Sequence, residues 1–264
     1  MIIIGERINS SRREIARAIR DRDAKFIQQE AMLQAKSGAN YIDVNAGTFG
    51  EKEIECLQWL VSTVQEAIDK PLCIDSPNPK ALAAALKLHR GKAIINSITG
   101  ETARFNSTIP LVRERQCGVV TLCLDDSGMP DTAEGKLDVA IRLIESLTSE
   151  GVALEDIFVD PLVHPISVDF KNGEVVLDAI GLIRERYPEV HITCGISNVS
   201  FGLPLRKRLN QVFAILTMQK GLDAAIIDPL DRALMSSITA TEALLGKDEY
   251  CMRYIAAYRQ GNLS

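Results

Sequence analysis

Several kinds of binding site are poorly represented in this sequence of 264 residues. Aromatic residues make up 5% of the chain, and no two cysteines form a C-x-x-C pair. The three histidines, His89, His164 and His191, are far apart, although a structural zinc site needs closely spaced Cys and His ligands. The net charge of −5 provides no basic surface of the kind that holds nucleic acid. We therefore expect no metal ion and no nucleic-acid partner.

Long apolar runs are equally scarce. The apolar start of the chain ends at Glu6 and Arg7, and it is far shorter than the roughly 20 residues of a membrane-spanning helix. The cysteines occur singly, at Cys56, Cys73, Cys117, Cys123, Cys194 and Cys251. Several of them fall inside apolar stretches, which favours buried, reduced thiols over disulfides. These features are typical of a cytoplasmic protein without membrane contact.

What the chain does contain is one repeated pattern: a short apolar run, a closing polar residue, a loop and a stretch of helical period. The apolar runs cover residues 2–4, 41–44, 72–74, 93–95, 119–124, 157–159, 191–194 and 224–227. The amphipathic stretches cover residues 24–37, 54–67, 81–88, 137–150, 175–186, 209–220 and 233–245. Strands that alternate with helices of this length form a parallel sheet, because parallel neighbours need crossover connections.

Eight strands without a Gly/Ser-rich or Pro-rich linker favour a closed sheet over an open one. The first strand-to-helix loop also lacks the G-x-G-x-x-G segment of an open dinucleotide-binding fold. The sequence therefore predicts an α/β protein, a (β/α)8 TIM barrel, with residues 1–264 forming a single domain.

Reacting groups in such a barrel lie at the C-terminal ends of the strands. The polar residues that close the apolar runs are Glu6, Asn9, Asp43, Asn45, Asp75, Asn96, Asp125, Asp160, Asn198 and Asp228. Acids and amides dominate, and neither clustered cations nor a glycine-rich loop suggests a phosphate site. A ligand edge with several N–H donors beside a ring acceptor would satisfy such a set, and a pterin has that edge.

Six segments strengthen this hypothesis: residues 3–9 (IIGERIN), 72–76 (LCIDS), 95–97 (INS), 160–162 (DPL), 195–200 (GISNVS) and 221–226 (GLDAAI). With them the chain resembles, essentially from end to end, the methyltetrahydrofolate:corrinoid-protein methyltransferases of the pterin-binding TIM-barrel group. The resemblance implies transfer of a methyl group between N5 of tetrahydrofolate or 5-methyltetrahydrofolate and the cobalt of a corrinoid such as cobalamin. It also implies a homodimer.

The same resemblance implies roles for particular residues. It gives the pterin-binding and loop positions as Asp75, Asn96, Asp160, Gly195, Ser197, Asn198, Arg206, Ile226 and Glu6. Asn198 would lie beside N5, and Asp75 and Asp160 would favour a positive charge there, which makes these three the catalytic candidates. No D-x-H-x-x-G segment is present to hold cobalamin, so a partner protein would bring the corrinoid.

Other functions remain open on the residues alone. Dihydropteroate synthases share this barrel and pterin pocket, but their pyrophosphate-binding cations have no counterpart in residues 45–48 (NAGT) or 197–200 (SNVS). A pterin-binding subunit without catalytic activity is a second alternative. A third is a metal-dependent lyase or hydrolase with Mg²⁺ on Asp75, Asp160 and Asp228.

Overall fold

In the computed structural model, which describes residues 1–263, eight parallel strands form one sheet in the order β7-β6-β5-β4-β3-β2-β1-β8. The strands are β1 (Ile2–Asn9), β2 (Tyr41–Asn45), β3 (Leu72–Asp75), β4 (Ile94–Gly100), β5 (Gly118–Asp125), β6 (Ile157–Asp160), β7 (His191–Ile192) and β8 (Ala224–Ile227). The two ends of the sheet meet where Gly195 pairs with Ile226, whose N–H donates to the carbonyl of Cys194 at 3.0 Å. The predicted (β/α)8 barrel is therefore confirmed.

The helices surround the sheet. They are α1 (Arg13–Asp21), α2 (Ala24–Lys36), α3 (Glu53–Ala67), α4 (Pro79–Leu86), α5 (Thr102–Arg115), α6 (Ala133–Ser149), α7 (Asn172–Arg186), α8 (Arg206–Lys220), α9 (Arg232–Leu244) and α10 (Met252–Arg259). Short 3-10 turns at Gly47–Lys52, Leu154–Asp156, Ile196–Ser200 and Glu249–Cys251 join some of them.

Three of these helices, α1, α5 and α10, lie outside the predicted amphipathic stretches. Helix α1 has only nine residues, of which Ile15, Ala18 and Ile19 are buried. Pro110 interrupts the helical period of α5, and of its apolar side chains Ile109 and Val112 are buried. No residue of α10 is buried, so this helix has no buried apolar face that its sequence would indicate. Helices without a wide apolar face give little periodic signal in a sequence.

Side chains along each strand point alternately to the helices and into the barrel. The outward set, which includes Ile3, Ile42, Ile74 and Ile95, packs against the helices in one large apolar core. The inward set fills the lower half of the barrel with Ile4, Cys73, Ile94, Val120, Phe158 and Ala224. Continuing the same alternation upward brings polar strand-end residues to the centre of the barrel.

Strand β7 is shorter than the predicted run of residues 191–194. Only His191 and Ile192 have strand geometry, although the Thr193 N–H still donates to the carbonyl of Val159 at 2.9 Å. At Gly195 the chain turns into a 3-10 helix instead of extending the strand. The barrel wall is therefore irregular where β7 meets the mouth.

Helix ends follow the local chemistry. Helix α8 stops at Gly221, whose φ of 116° suits glycine and whose N–H donates to the carbonyl of Met218 at 3.1 Å. Helix α4 begins with Pro79, and Asn78 caps it by accepting the N–H of Lys80 at 3.0 Å. Both stop and start were visible in the sequence as Lys220-Gly221 and the segment 76–79 (SPNP).

Two further observations concern the surface and the thiols. No helix within residues 1–263 combines the length and apolar character required to cross a membrane. All six cysteines are free thiols, of which five are buried and Cys251 is exposed.

Replacing Gly221 with alanine should destabilise the fold by about 1–3 kcal/mol, because the positive φ disfavours a Cβ. That Cβ would also lie 2.7 Å from Cγ of Arg184. Gly181→Ala, within helix α7, is the matched control. Its Cβ would contact only Lys220 Cδ, at 3.8 Å, and the change should stabilise the fold by about 0.5–1 kcal/mol. Urea unfolding of both variants measures the difference, and equal midpoints would contradict this account.

Candidate functional site

Three polar side chains form a row across neighbouring strands at the barrel mouth. Asn45, Asp75 and Asn96 are register partners on β2, β3 and β4. Asn45 donates from Nδ2 to Asp75 Oδ2 at 2.9 Å, and Asn96 donates from Nδ2 to Asp43 Oδ1 at 3.4 Å. Within residues 1–263 the side-chain atoms Asp75 Oδ1 and Asn96 Oδ1 have no hydrogen-bond partner. The row thus offers two free acceptors to the mouth.

Asp160 adds a further carboxylate at the end of β6. It is 7% exposed, and its Oδ1 accepts the backbone N–H of Leu162 at 2.8 Å. Its Oδ2 has no partner in the described chain. Leu122 on β5, the register partner of Asp160, is an apolar residue between this carboxylate and the β2–β4 row. The free acceptors therefore border an apolar surface. This combination suits a flat heterocycle, whose polar edge needs hydrogen-bond partners and whose face needs apolar contact.

Burial dominates the electrostatics of these acids. It raises the pKa of Asp75 to about 6 and that of Asp160 to about 7. Burial and then the nearby Asp75 raise the pKa of Asp43 well above its ordinary range. Arg104 beside Asp75 and Lys136 beside Asp160 oppose the rise in pKa only in part, and N–H donors from a ligand would lower the remaining cost of ionisation. The mouth is suited to a ligand that donates hydrogen bonds.

The opposite side of the mouth is built on the segment that follows β7. Gly195 pairs with Ile226 of β8, and Ser197 and Asn198 lie in the 3-10 turn Ile196–Ser200. Asn198 is exposed, and its side-chain amide has no partner in residues 1–263. A Cβ on Gly195 would lie 3.1 Å from Asn198 Nδ2, so glycine there leaves space for this amide.

Arg206 and Glu6 complete this side. Arg206 begins α8 and donates from Nη2 to the carbonyl of Ser197 at 2.7 Å and from Nε to Ser200 Oγ at 3.1 Å. Burial, and then the nearby charge of Asp228, raise the pKa of Glu6 to about 7. A cavity of about 280 Å³ is lined by Glu6, Ile196, Ser197, Arg206, Lys207, Asn210, Ile227, Asp228, Asp231 and Leu234.

All the predicted site residues therefore lie at the C-terminal end of the barrel, in two groups. Asp75, Asn96 and Asp160 project from the arc of β3 to β6, and the remainder lie on the arc of β7, β8 and β1. Glu6, Ser197 and Arg206 share one cavity, whereas Asp75 and Asn96 are strand neighbours.

Three supporting residues were not in the predicted binding set. Asp43 and Asn45 close an apolar run, which was a usable signal, and they orient Asn96 and Asp75. Lys136 lies on helix α6 and not at the end of a strand, so strand-end polarity does not identify it. It also lies just before the predicted amphipathic stretch 137–150, so no sequence pattern indicates that its side chain is buried.

The Mg²⁺ alternative gains no support. Asp228 accepts Nη1 of Arg7 at 2.8 Å, and Arg7 also donates to Glu30 at 2.8 Å. Across residues 1–263 no three or more His, Cys, Asp or Glu side chains group as metal ligands would. Asp228 is accordingly engaged in an ion pair.

Comparison with known proteins defines the class. Residues 5–228 match the family described as "Pterin binding enzyme", and the chain belongs to this family. Its fold is similar to dihydropteroate synthase from Clostridium difficile in the presence of pteroic acid, with a TM-score of 0.73, 19% identity and coverage of 92% of this chain and 96% of that one. Xanthomonas albilineans dihydropteroate synthase in complex with 7,8-dihydropteroate gives a TM-score of 0.69 at 14% identity, covering 94% and 92%.

Within the family, a methyltransferase is much nearer in sequence. The chain is 41% identical over 268 residues to the methylcorrinoid:tetrahydrofolate methyltransferase of Eubacterium limosum, covering 100% of this chain and 98% of that protein. It is also 33% identical to methionine synthase of Mycobacterium leprae over 240 residues, which are 86% of this chain and 20% of that longer protein. The family resemblance seen in the sequence motifs is therefore confirmed.

Substituting Asp160 with asparagine should stabilise the unliganded protein at pH 8 by about 1–3 kcal/mol. The folded-state pKa of about 7 exceeds the unfolded value, so the wild type loses stability as the pH rises through about 7. Asparagine cannot ionise, yet it keeps an oxygen for the Leu162 N–H. Urea unfolding at pH 8 and pH 4.5 measures the effect, which should vanish at the lower pH.

Asp125→Asn is the control of opposite sign. The Ser127 N–H and Arg142 hold the pKa of Asp125 below its usual range, so its removal should not stabilise at pH 8. A stability gain of Asp160→Asn that is equal at both pH values would contradict a titrating buried carboxyl.

Proposed function

We propose that this protein transfers a methyl group from a methylcorrinoid, carried by a partner protein, to N5 of tetrahydrofolate. The observation that carries the proposal is the 41% identity, across the whole chain, to an enzyme whose name states these two substrates in this direction. The donor-seeking carboxylates and amide at the barrel mouth support it independently, because they match the hydrogen-bonding edge of a pterin.

Pterin recognition would fall to the first arc of the mouth. The amino and ring N–H groups of the pterin would donate to Asp75 and Asp160, and the Asn96 amide would pair with its remaining polar edge. These contacts favour the ionised carboxylates, so binding should lower their pKa values and release protons. Gly195 and Ile226 would border the ring, and Ser197, Glu6 and Arg206 would line the adjoining cavity.

The reaction would then be a displacement at the methyl carbon. The N5 lone pair forms the new N–C bond while the Co–C bond breaks and leaves its electron pair on cobalt. N5 becomes positively charged and then loses its proton to solvent. Asp75 and Asp160 would stabilise this positive charge, and the unpaired amide oxygen of Asn198 would accept the N5–H.

The position of Asn198 supports this role. Its amide is exposed and has no partner in residues 1–263, so it is free to meet a ligand atom. An open mouth also lets N5 meet the methyl carbon in line, from the side opposite cobalt, as a displacement needs. No corrinoid-binding histidine motif is present in the sequence, and the methylcorrinoid would arrive on another protein.

The competing functions have weaker support. The dihydropteroate synthases share the fold at 19% identity or less. A likeness at that level shows the fold and does not indicate that this chain catalyses their reaction. A pterin-binding subunit without catalysis would keep the mouth but would not depend on the Asn198 amide for turnover. Mutation of Asn198 therefore separates a binding protein from an enzyme.

The central test is anaerobic methyl transfer from methylcobalamin to tetrahydrofolate, followed by the appearance of Co(I) absorption. We expect activity in the wild type, and in Asn198→Ala a fall of about 10²–10³ in kcat with less than about threefold change in the Kd of tetrahydrofolate. Asn106→Ala, which removes an exposed amide from helix α5, is the matched control and should retain full activity.

Two outcomes would refute the proposal in different places. Absence of Co(I) formation by wild-type protein that binds tetrahydrofolate would favour a non-catalytic subunit. Undiminished turnover by Asn198→Ala would leave the reaction intact and remove Asn198 from it.

We also propose that the protein is a homodimer that buries an apolar face of helices α7 and α8. A groove of about 510 Å³ there is lined mainly by apolar residues, including Ile166, Phe170, Leu177, Val212, Phe213 and Leu216. Phe170 is 84% exposed, and Val212 and Leu216 are 48% and 45% exposed. An apolar face of this kind is typical of a surface that another protein covers.

Changing both Val212 and Leu216 to glutamate should convert the dimer to a 29.0 kDa monomer in sedimentation equilibrium. Leu244→Glu places the same charge on an 87% exposed position of helix α9 and should leave the dimer intact. A monomeric wild type, or a double variant that still sediments as a dimer, would exclude this face as the interface.

A further inference from the structure

Lys136 is a buried lysine to which the proposed reaction gives no part. It is the fourth residue of helix α6 and is only 2% exposed. Its ammonium donates to the carbonyl of Pro161 at 2.7 Å and to that of Leu162 at 3.2 Å. It forms no salt bridge within residues 1–263. Burying an ammonium group costs free energy unless a nearby negative charge interacts with it.

Both of its acceptors belong to the turn that carries Asp160. Leu162 has a φ of 61°, a left-handed conformation that costs a leucine about 1 kcal/mol. The N–H of the same Leu162 donates to Asp160 Oδ1, which leaves Oδ2 free. By holding the two carbonyls, Lys136 stabilises a turn that this leucine would not adopt readily. The orientation of the Asp160 carboxylate therefore depends on Lys136.

Lys136 is also the source of positive charge beside Asp160. The titratable groups that face this pair are Cys123 of β5, Cys194 after β7, and Asp131 before α6. Burial raises the pKa of both thiols well above their usual range, so neither carries charge near pH 7. Burial raises the pKa of Asp160, and Lys136 opposes that rise. Burial in turn lowers the pKa of Lys136, against the opposing effects of Cys123, Asp160 and Asp131.

We propose that Lys136 is a positioning residue for ligand recognition: it fixes the 160–162 turn and favours the ionised form of Asp160, with the free oxygen directed to the mouth. That the ligand is a pterin rests on the proposed function. The geometry of Lys136 and Asp160 does not depend on it. Lys136 would act only through Asp160, and it would not touch the substrate.

The test compares Lys136→Met with wild type in two measurements. Carboxyl ¹³C NMR follows the titration of Asp160 in the unliganded protein, with Asp160→Asn used to assign the signal. Calorimetry gives the Kd of tetrahydrofolate from pH 5.5 to pH 9. We expect the Asp160 midpoint to rise by about one pH unit and the affinity at pH 7 to fall by about fivefold, with recovery at higher pH.

Two controls isolate the effect. Lys92→Met removes a lysine that pairs with Asp156 at the other end of the barrel and should change neither measurement. In an Asp160→Asn background, Lys136→Met should no longer alter the pH dependence of binding. Lys136→Gln, which keeps one N–H donor without the charge, is measured in the same way and serves if Lys136→Met does not fold.

An unchanged Asp160 midpoint in a folded Lys136 variant would overturn the proposal. So would a loss of affinity that is the same at every pH and persists in the Asp160→Asn background, since that outcome describes a merely structural lysine. Failure of wild-type protein to bind tetrahydrofolate would refute the proposed function instead. The NMR titration would still decide the role of Lys136.

Discussion

The site depends on the in-and-out alternation of side chains in a closed barrel. Once Ile4, Cys73 and Phe158 fill the lower interior, the next inward positions on the strands must face the mouth. Those positions hold acids and amides, and the apolar floor beneath them removes water from the carboxyl groups. The raised pKa values of Asp75 and Asp160 follow from this arrangement. The strand ends thus carry hydrogen-bond acceptors that lack donors, and a ligand can supply those donors.

These unsatisfied acceptors lower the stability of the fold and support function at the same time. A barrel of the same shape could have aliphatic residues at these strand ends and would be easier to fold. The chain instead retains buried carboxyls and surrounds them with polar groups that orient them without fully satisfying them. Asn45 holds one oxygen of Asp75, and Leu162 holds one of Asp160, so each acid retains an open acceptor. These acceptors are therefore in place before any ligand arrives, in keeping with the proposed selectivity for a ligand with paired N–H donors.

Much of the fold and the polar residues at the barrel mouth could be predicted from the sequence, because apolar periodicity and strand-end polarity are local properties. The eight strands and the residues Asp75, Asn96 and Asp160 are examples. Helix α5 was missed because Pro110 and a sparse apolar face hide its period. Lys136 was missed for a different reason: its partners, the carbonyls of Pro161 and Leu162, are 25 and 26 positions away in the chain. Contacts with backbone carbonyls carry no residue-type signature.

The hydrogen bonds of Asn45 link three strands. Its Oδ1 accepts Ser10 Oγ at 3.0 Å and the Gly47 N–H at 3.0 Å, which turns its Nδ2 toward Asp75. Ser10 Oγ also accepts the Thr48 N–H at 3.2 Å. The first two strand-to-helix loops are thereby mechanically connected to an acid on the third strand. Sequence drift in those loops could retune ligand preference gradually, without any change in a residue that meets the ligand itself.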